Sequence, residues 1–412
     1  MKTWFTFLLA VAVSGCLSGT DATTDESPSQ EAPTQPSPPT VSYDCEQCWL
    51  PIGGVQSLAA YAMDIDPTDP NRVAVVGRSY AVAAGDEPSA GVDTVSTVAI
   101  THDAGQSWNL VATPEGIVPE RYGMATGVAW DRQGRLHVAY AYDGTVVGGD
   151  IVLGSAEPTA YYARSDDFGS TWAVREVLQE GGDLPTLLAK DDRLVLTWNT
   201  GLPRTVQTSD LERQNITETT VPECWFPRGG SLHEEAYLPC IGSNSGNVRA
   251  AKWIAVGLDE SKLIGRYPGC ERGFATNATF VATCEDMLAL SERRADSIST
   301  RSILEDLNHV AAAAEAHGHV HAVAYTNVGV DEIGSDHLET DLVHAVLSPN
   351  GQEIQRSVID KRQLFYVSEA TQVQQHGFMY PDIMDIENNR GYIIARDVMT
   401  NRSTMLSFHV SA

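Results

Sequence analysis

The chain reads as all-β: a single β-propeller of four-stranded antiparallel blades, seven of them or, as the alternative, six. Three observations lead there. Short apolar strands recur in pairs along most of the 412 residues, two octapeptides repeat each other at every defining position, and the repeats fall at intervals that suit one blade each.

The strand pairs span the chain. Met63 to Pro67 leads to Asn71 to Val76, and Gly127 to Asp131 leads to Gly134 to Tyr140. Thr186 to Lys190 precedes Arg193 to Trp198, Val310 to Ala314 precedes Gly318 to Tyr325, and Asp382 to Ile386 precedes Gly391 to Ala395. Each is a Val-, Ile- or Ala-rich run, a turn, and a second such run, which is the pattern of a buried hairpin. At roughly 45 to 60 residues per blade, the region from Val55 to Ala412 holds six to eight units. The stretches 229–266 and 272–304 match the repeat least well; counted separately they give seven blades, and merged they give six. A β-sandwich would bury similar strands without such regularly repeated paired turns.

The octapeptides are Thr101-His-Asp103-Ala-Gly105-Gln-Ser107-Trp108 and Ser165-Asp-Asp167-Phe-Gly169-Ser-Thr171-Trp172. The shared pattern, [ST]-x-D-x-G-x-[ST]-W, describes a tight hairpin turn. Its Asp carboxylate accepts backbone N–H groups, its Gly takes a positive φ, and its Trp packs back under the turn. Degenerate echoes stand at Thr208-Ser-Asp210 and Ser348-Pro-Asn350-Gly351. These octapeptides resemble the Asp-box, or bacterial neuraminidase repeat, of sialidases and related propellers. The resemblance implies that Asp103, Gly105, Trp108, Asp167, Gly169 and Trp172 are structural residues at the blade periphery, with no catalytic part.

The N-terminus reads as an export signal over residues 1–15. Lys2 supplies a positive start, Trp4 to Val13 is apolar but too short to span a bilayer, and Val13-Ser14-Gly15-Cys16 follows. That tetrapeptide resembles the lipobox of prokaryotic lipoproteins, which implies lipidation of Cys16 and a lipid-anchored protein exported to the outer face of the cell membrane or the cell surface. Residues 16–40 continue with Thr, Ser, Pro and acidic residues and no aromatic side chain, a composition that reads as a disordered tether. The propeller then occupies 41–412.

A formal net charge of -27, with 54 acidic and 27 basic residues, excludes a nucleic-acid partner, because no Lys/Arg stripe is present to neutralise phosphates. An even set of six cysteines, Cys45, Cys48, Cys224, Cys240, Cys270 and Cys284, fits disulfides in an exported domain. Proximity along the chain suggests Cys45 with Cys48, Cys224 with Cys240, and Cys270 with Cys284; Cys45-Glu-Gln-Cys48 read alone also fits a redox or metal half-site.

In a propeller, ligands meet the residues where the inner strands begin. Aligning the repeats places Tyr61, Arg121, Tyr122, Asp183, His233, Glu234, Glu235, Asn308, His309, Tyr380 and Asp382 at that rim. Aromatic faces for stacking and carboxylates for hydroxyl groups suit a carbohydrate, or a polar patch on a cell-surface protein. The expected function is ligand binding at the channel mouth. The alternative, implied by the sialidase resemblance alone, is a retaining exo-glycoside hydrolase: Tyr380-Pro-Asp-Ile resembles the segment around the family's Tyr nucleophile, and Glu234 resembles its activating Glu. The family's arginine signature before the first blade is replaced by Cys48-Trp-Leu-Pro51. Neither a cofactor nor a metal is expected. His317, His319 and His321 alternate and would share a strand face, but His137 occupies the same place in its own repeat without companions, which favours a structural position.

Overall fold

Alternation of small and branched apolar residues with turn residues produces strands almost everywhere in the computed structural model. It describes most residues from Pro39 to Ser411. Residues 1–38, the connections 45–48, 54–56, 81–94, 113–120, 220–230, 233–235, 327–337 and 365–378, and several shorter ones lie outside the described residues, and in the middle of the chain mainly the backbone is described.

Among the described residues the strands form seven antiparallel sheets in chain order. Sheet 1 comprises Ser57–Ile65, Val73–Tyr80, Val95–Thr101 and Asn109–Ala112. Sheet 2 comprises Arg121–Trp130, Leu136–Val147, Thr159–Ser165 and Ala173–Leu178, with the short strand Asp150–Leu153 added to its second member. Sheet 3 is Asp183–Lys190, Arg193–Thr200, Thr205–Asp210 and Asn215–Thr219; sheet 4 is Ser231–Leu232, Ala236–Ser243, Arg249–Val256 and Ser261–Pro268. Sheet 5 is Cys270–Ala275, Thr279–Cys284, Met287–Arg294 and Ser297–Leu304; sheet 6 is Leu307–Ala316, His319–Thr326, Leu338–Leu347 and Glu353–Leu364.

Sheet 7 mixes the two ends of the domain. Met379–Glu387, Arg390–Asp397 and Arg402–Ser411 supply three strands, and Thr40–Tyr43 pairs antiparallel to the last of them in the register Thr40 to Ser411 and Tyr43 to Phe408. Leu50–Pro51 pairs with the same strand.

In sheets 6 and 7 two-residue turns join the first and second strands. His317-Gly318 and Asn388-Asn389 each have positive φ at both residues, 51° and 72° in the first and 47° and 69° in the second. That is the hairpin geometry whose twist matches the flanking strands, and it selects Gly and Asn. The two octapeptides form matching turns between third and fourth strands. In the first, Thr101 Oγ1 accepts the Gly105 N–H at 2.9 Å, and Asp103 Oδ1 accepts the Ser107 N–H at 2.8 Å. In the second, Ser165 Oγ accepts the Gly169 N–H at 2.7 Å and Asp167 Oδ1 accepts the Thr171 N–H at 2.7 Å. Gly105 and Gly169 sit at φ 90° and 84°, as the motif requires. Trp108 and Trp172 pack partly buried against the inter-sheet cores.

Apolar burial is concentrated between successive sheets. Val76, Ile100, Val128, Trp130 and Tyr140 fill the space between sheets 1 and 2; Ala129, Ala139, Leu187 and Leu196 fill that between 2 and 3. Val281, Leu290, Val320 and Val343 join sheets 5 and 6, and Val323, Val346, Ile393 and Phe408 join 6 and 7. One cluster, with Leu58, Met63, Ile65, Tyr392, Ile394 and Met405, joins sheet 7 to sheet 1.

The seam that holds the N-terminal strand is aromatic. Phe408 is fully buried, its ring 4.9 Å from that of His344 and 6.1 Å from that of Tyr43. A Cβ at Gly391 would stand 2.1 Å from the Phe408 ring, so glycine is required where that ring lies across its neighbouring strand. Beneath it runs a buried hydrogen-bonded chain: Tyr43 OH to His344 Nδ1 at 2.8 Å, then His344 Nε2 to His321 Nδ1 at 3.1 Å. His321 is therefore a core residue. Its counterpart His137 is buried likewise, bonded to Tyr162 OH at 2.7 Å and to Asp131 Oδ2 at 3.1 Å.

Candidate functional site

First strands carry much of the contact between neighbouring sheets. The first strand of sheet 1 contacts those of sheets 2 and 7, that of sheet 3 contacts those of sheets 2 and 4, and that of sheet 6 contacts those of sheets 5 and 7. Residues on them are therefore brought near one another although they are far apart in the chain.

These strands share an irregularity. Pairing of first with second strand loses register once or more in sheets 1, 2, 3, 5, 6 and 7, whereas pairing of second with third strand keeps register throughout. In sheet 1, Ala60 faces Gly77 and Ala62 faces Val76, so the register passes over Tyr61. Thr126 is passed over in the same way in sheet 2 and Asp382 in sheet 7. These three residues are equivalent, each four positions before the apolar residue near the strand end, Ile65, Trp130 or Ile386. In sheet 3 the skipped residues are Leu184 and Pro185, in sheet 5 Glu271, and in sheet 6 His309, Val310 and Ala311.

A bulge leaves a residue outside the ladder, bends the strand and re-aims the side chain, and bulges concentrate beside functional sites. Here they also tie neighbouring sheets. Thr126 Oγ1 donates to the Pro185 carbonyl at 2.5 Å, from bulge to bulge, and the Ala60 N–H donates to Ser403 Oγ at 3.0 Å. A Cβ at Gly127 would lie 2.7 Å from the Leu187 backbone nitrogen, which shows how closely sheets 2 and 3 approach at this level.

Of the residues named from sequence, Tyr61, His309 and Asp382 fall on bulge positions, and the Tyr61 side chain is half-buried. Arg121 and Tyr122 open the first strand of sheet 2, opposite Thr145 and Gly144. Asp183 opens that of sheet 3 opposite Asn199, and Asn308 stands opposite Tyr325 in sheet 6. Tyr380 is the second residue of its strand and stands directly opposite Arg396. His233, Glu234 and Glu235 lie outside the described residues, in the connection from the first to the second strand of sheet 4. In sheets 1, 2, 6 and 7 the turn in that place lies where the first strand ends, the opposite end from Tyr380 and Arg121.

Cys270 and Cys284 are paired residues on adjacent strands of sheet 5, and Cys240 stands opposite Lys252 in sheet 4. Cys16, Cys45, Cys48 and Cys224 lie outside the described residues.

Sequence reasoning missed Thr126, the Leu184-Pro185 pair and Glu271, because a bulge shifts the two-residue alternation by one and looks like noise in a short strand. It also missed two partly buried acidic residues, Asp64 and Asp385. Their signal was present: Met63-Asp64-Ile65 and Met384-Asp385-Ile386 are the same tripeptide at the same place in two repeats.

No protein-family model matches the sequence, and no curated protein does. Solved structures align over most of the chain at TM-scores below 0.5. The Saccharomyces cerevisiae protein Sqt1 aligns with a TM-score of 0.47 at 10% identity, over 90% of this chain and 100% of that one. The β-propeller domain of the Trilobed protease from Pyrococcus furiosus aligns with a TM-score of 0.46 at 8% identity, over 85% of this chain and 93% of that one. The Hadza microbial sialidase Hz136 aligns with a TM-score of 0.42 at 12% identity, over 86% of this chain and 65% of that one.

Proposed function

We propose that the chain is an exported, lipid-anchored β-propeller of seven blades that binds a carbohydrate or a cell-surface protein where its first strands begin. Closure is supported by the core cluster shared between sheets 7 and 1 and by the pairing of Thr40–Tyr43 with the last strand. One observation carries the binding role: bulges recur on the first strands, and Tyr61, Thr126, His309 and Asp382 occupy them. The residues passed over by the register in several blades, Tyr, Thr, His and Asp among them, are of the types that bind a sugar, which takes polar groups and a stacking platform.

Register also supports a disulfide between Cys270 and Cys284, since directly opposed residues of an antiparallel pair lie within reach of one.

The hydrolase reading has less behind it. Tyr380 belongs to the starting end of its strand, whereas Glu234 belongs to a first-to-second connection, the kind that closes the other end in the sheets with described turns.

The test is a glycan array probed with the full-length protein in detergent. Wild type is expected to bind a restricted set of glycans, and Tyr61→Ala and Asp382→Asn to lose roughly tenfold in affinity, about 1.4 kcal/mol. Unchanged affinity in both variants would remove the site. Turnover of a fluorogenic sialoside that disappears in Tyr380→Phe would establish the hydrolase instead.

A further inference from the structure

Among the described residues the N-terminal strand Thr40–Tyr43 pairs with a single strand, Arg402–Ser411, and side chains hold the rest of it. Gln355, on the fourth strand of sheet 6, takes both backbone groups of Val41. Its Oε1 accepts the Val41 N–H at 3.0 Å and its Nε2 donates to the Val41 carbonyl at 3.4 Å. Asp44, just past the strand, accepts from the Ser407 hydroxyl at 2.6 Å and pairs with Arg390 and His409. Between these lies Tyr43, whose hydroxyl meets His344 Nδ1 at 2.8 Å. A short edge strand belongs to the low-stability end of a structure, so these side-chain bonds decide whether it stays docked.

The Tyr43 bond continues inward. His344 Nε2 stands 3.1 Å from His321 Nδ1, and His321 Nε2 is buried with no hydrogen-bond partner. Both rings are buried against Phe408. Sheet 2 carries the equivalent arrangement with a different ending. There His137 and Tyr162 stand where His321 and His344 stand in sheet 6, and His137 Nε2 meets the Asp131 carboxylate at 3.1 Å. Glu315 occupies the place of Asp131 in its own repeat, yet gives His321 Nε2 no hydrogen bond. A proton taken up by His137 has an anion beside it, whereas one taken up by the His321–His344 pair sits in the core unbalanced.

The surrounding elements do not supply the missing anion among the described residues. His317 and His319, from the turn and strand that lead to His321, are of like charge when protonated. Glu353 is engaged by Arg356 on the fourth strand, and Asp44 by Arg390 and His409. Asp341 and Asp360 are displaced along their strands from the position where His344 faces Ser357. In sheet 7, Asp385 and Glu387 alternate with Met384 and Ile386, the residues that enter this core.

We propose that Thr40–Tyr43 is an acid-released latch: protonation of the His344–His321 pair frees Tyr43 and lifts the N-terminal strand from Arg402–Ser411 while the other sheets stay folded. Burial, then the neighbouring His321, holds His344 well below the ordinary imidazole value of 6.5. A base depressed in the docked state contributes stability that is complete above its undocked value and is lost as pH falls through the docked one. Docking therefore weakens about tenfold for each pH unit below 6.5 over which the ring is kept neutral. Burial opposes ionisation of Asp44, but Ser407, Arg390 and His409 hold its carboxyl below the ordinary value of 3.8, so its bonds persist through this window.

The test is hydrogen exchange read by mass spectrometry on the full-length chain at pH 7, 6 and 5, corrected for intrinsic rates. Wild type is compared with His344→Gln, whose amide keeps a partner for Tyr43 and does not titrate. In wild type the protection of residues 40–44 is expected to fall about tenfold between pH 6 and pH 5 while that of sheet 2 holds, and in His344→Gln it should stay level. A fall shared equally by sheet 2, a fall of the same size in the variant, or no fall at all would each overturn the latch. Should the variant fail to fold, nitrogen NMR of the wild-type imidazoles decides. Titration of the His344 ring together with loss of the 40–44 amides supports the latch; strand amides that outlast that titration, or that are lost only with the rest of the domain, sink it. Neither readout involves a ligand, so the outcome is separate from that of the glycan site.

Discussion

The Tyr43–His344–His321 chain predicts how the N-terminal seam responds to acid. His321 is fully buried, its Nδ1 shared with His344, and burial, followed by the neighbouring His319 and His317, lowers it from 6.5 to about 4. His344 is pushed well below its ordinary value by burial and then by His321. A histidine held neutral in the fold leaves the unfolded chain binding more protons below the unfolded value. Its contribution is thus complete above pH 6.5 and is lost as pH falls toward the folded value of about 4. Between pH 7 and pH 4 the wild type should lose about 3 kcal/mol through His321 alone, at 1.36 kcal/mol for each pH unit of displacement. The perturbation is His321→Gln, which keeps an amide for His344 and does not titrate. Urea unfolding followed by tryptophan fluorescence at the two pH values measures it. Other titrating groups are common to both proteins and cancel in the difference. Wild-type and variant stabilities that fall in parallel would refute the assignment of the buried imidazole as the acid-sensitive group.

Two further substitutions probe parts of the fold distant from the proposed ligand end. Phe408→Ala removes the ring that Tyr43, His344 and Gly391 pack around and should lower stability by about 3–5 kcal/mol in chemical denaturation; a loss below ~1.5 kcal/mol would mean the seam collapses around the cavity. Asp103→Ala deletes the acceptor of the Ser107 amide, the Ser107 hydroxyl and the Thr101 hydroxyl, and should lower stability by about 1–2 kcal/mol while leaving glycan affinity unchanged. Slight burial opposes ionisation of Asp103, but those hydrogen bonds hold its carboxyl below the usual value, so the difference from the variant should shrink as pH falls through that lowered value.

Local features were legible because the residues that make them are neighbours in sequence. The octapeptide turn closes on itself through hydrogen bonds from Thr101 and Asp103 to residues within four positions, so the eight letters suffice to specify it. Paired apolar runs around Asn71 and Gly134 became first and second strands for the same reason: a short turn brings them together without help from elsewhere. The poorly matching stretch forms two sheets, 231–268 and 270–304, among the described residues.

Candidate residues were legible only to the level of strand. Tyr61 and Asp382 were named from repeat alignment, but their shared property, exclusion from the ladder, depends on a one-residue slip that either partner strand could absorb. Arg121 and Tyr380 could be placed near strand starts, while nothing in His233-Glu234-Glu235 told a strand start from a connection.

By itself the sequence determined strand pairs, their turns and their order, since each rests on hydrogen bonds and apolar alternation within a few tens of residues. Only tertiary structure decided that Thr40–Tyr43 pairs with Arg402–Ser411 and that Tyr43 reaches His344. Those contacts join residues more than three hundred positions apart. Their free energy comes from packing one sheet against another, and no local pattern records which sheet the neighbour will be.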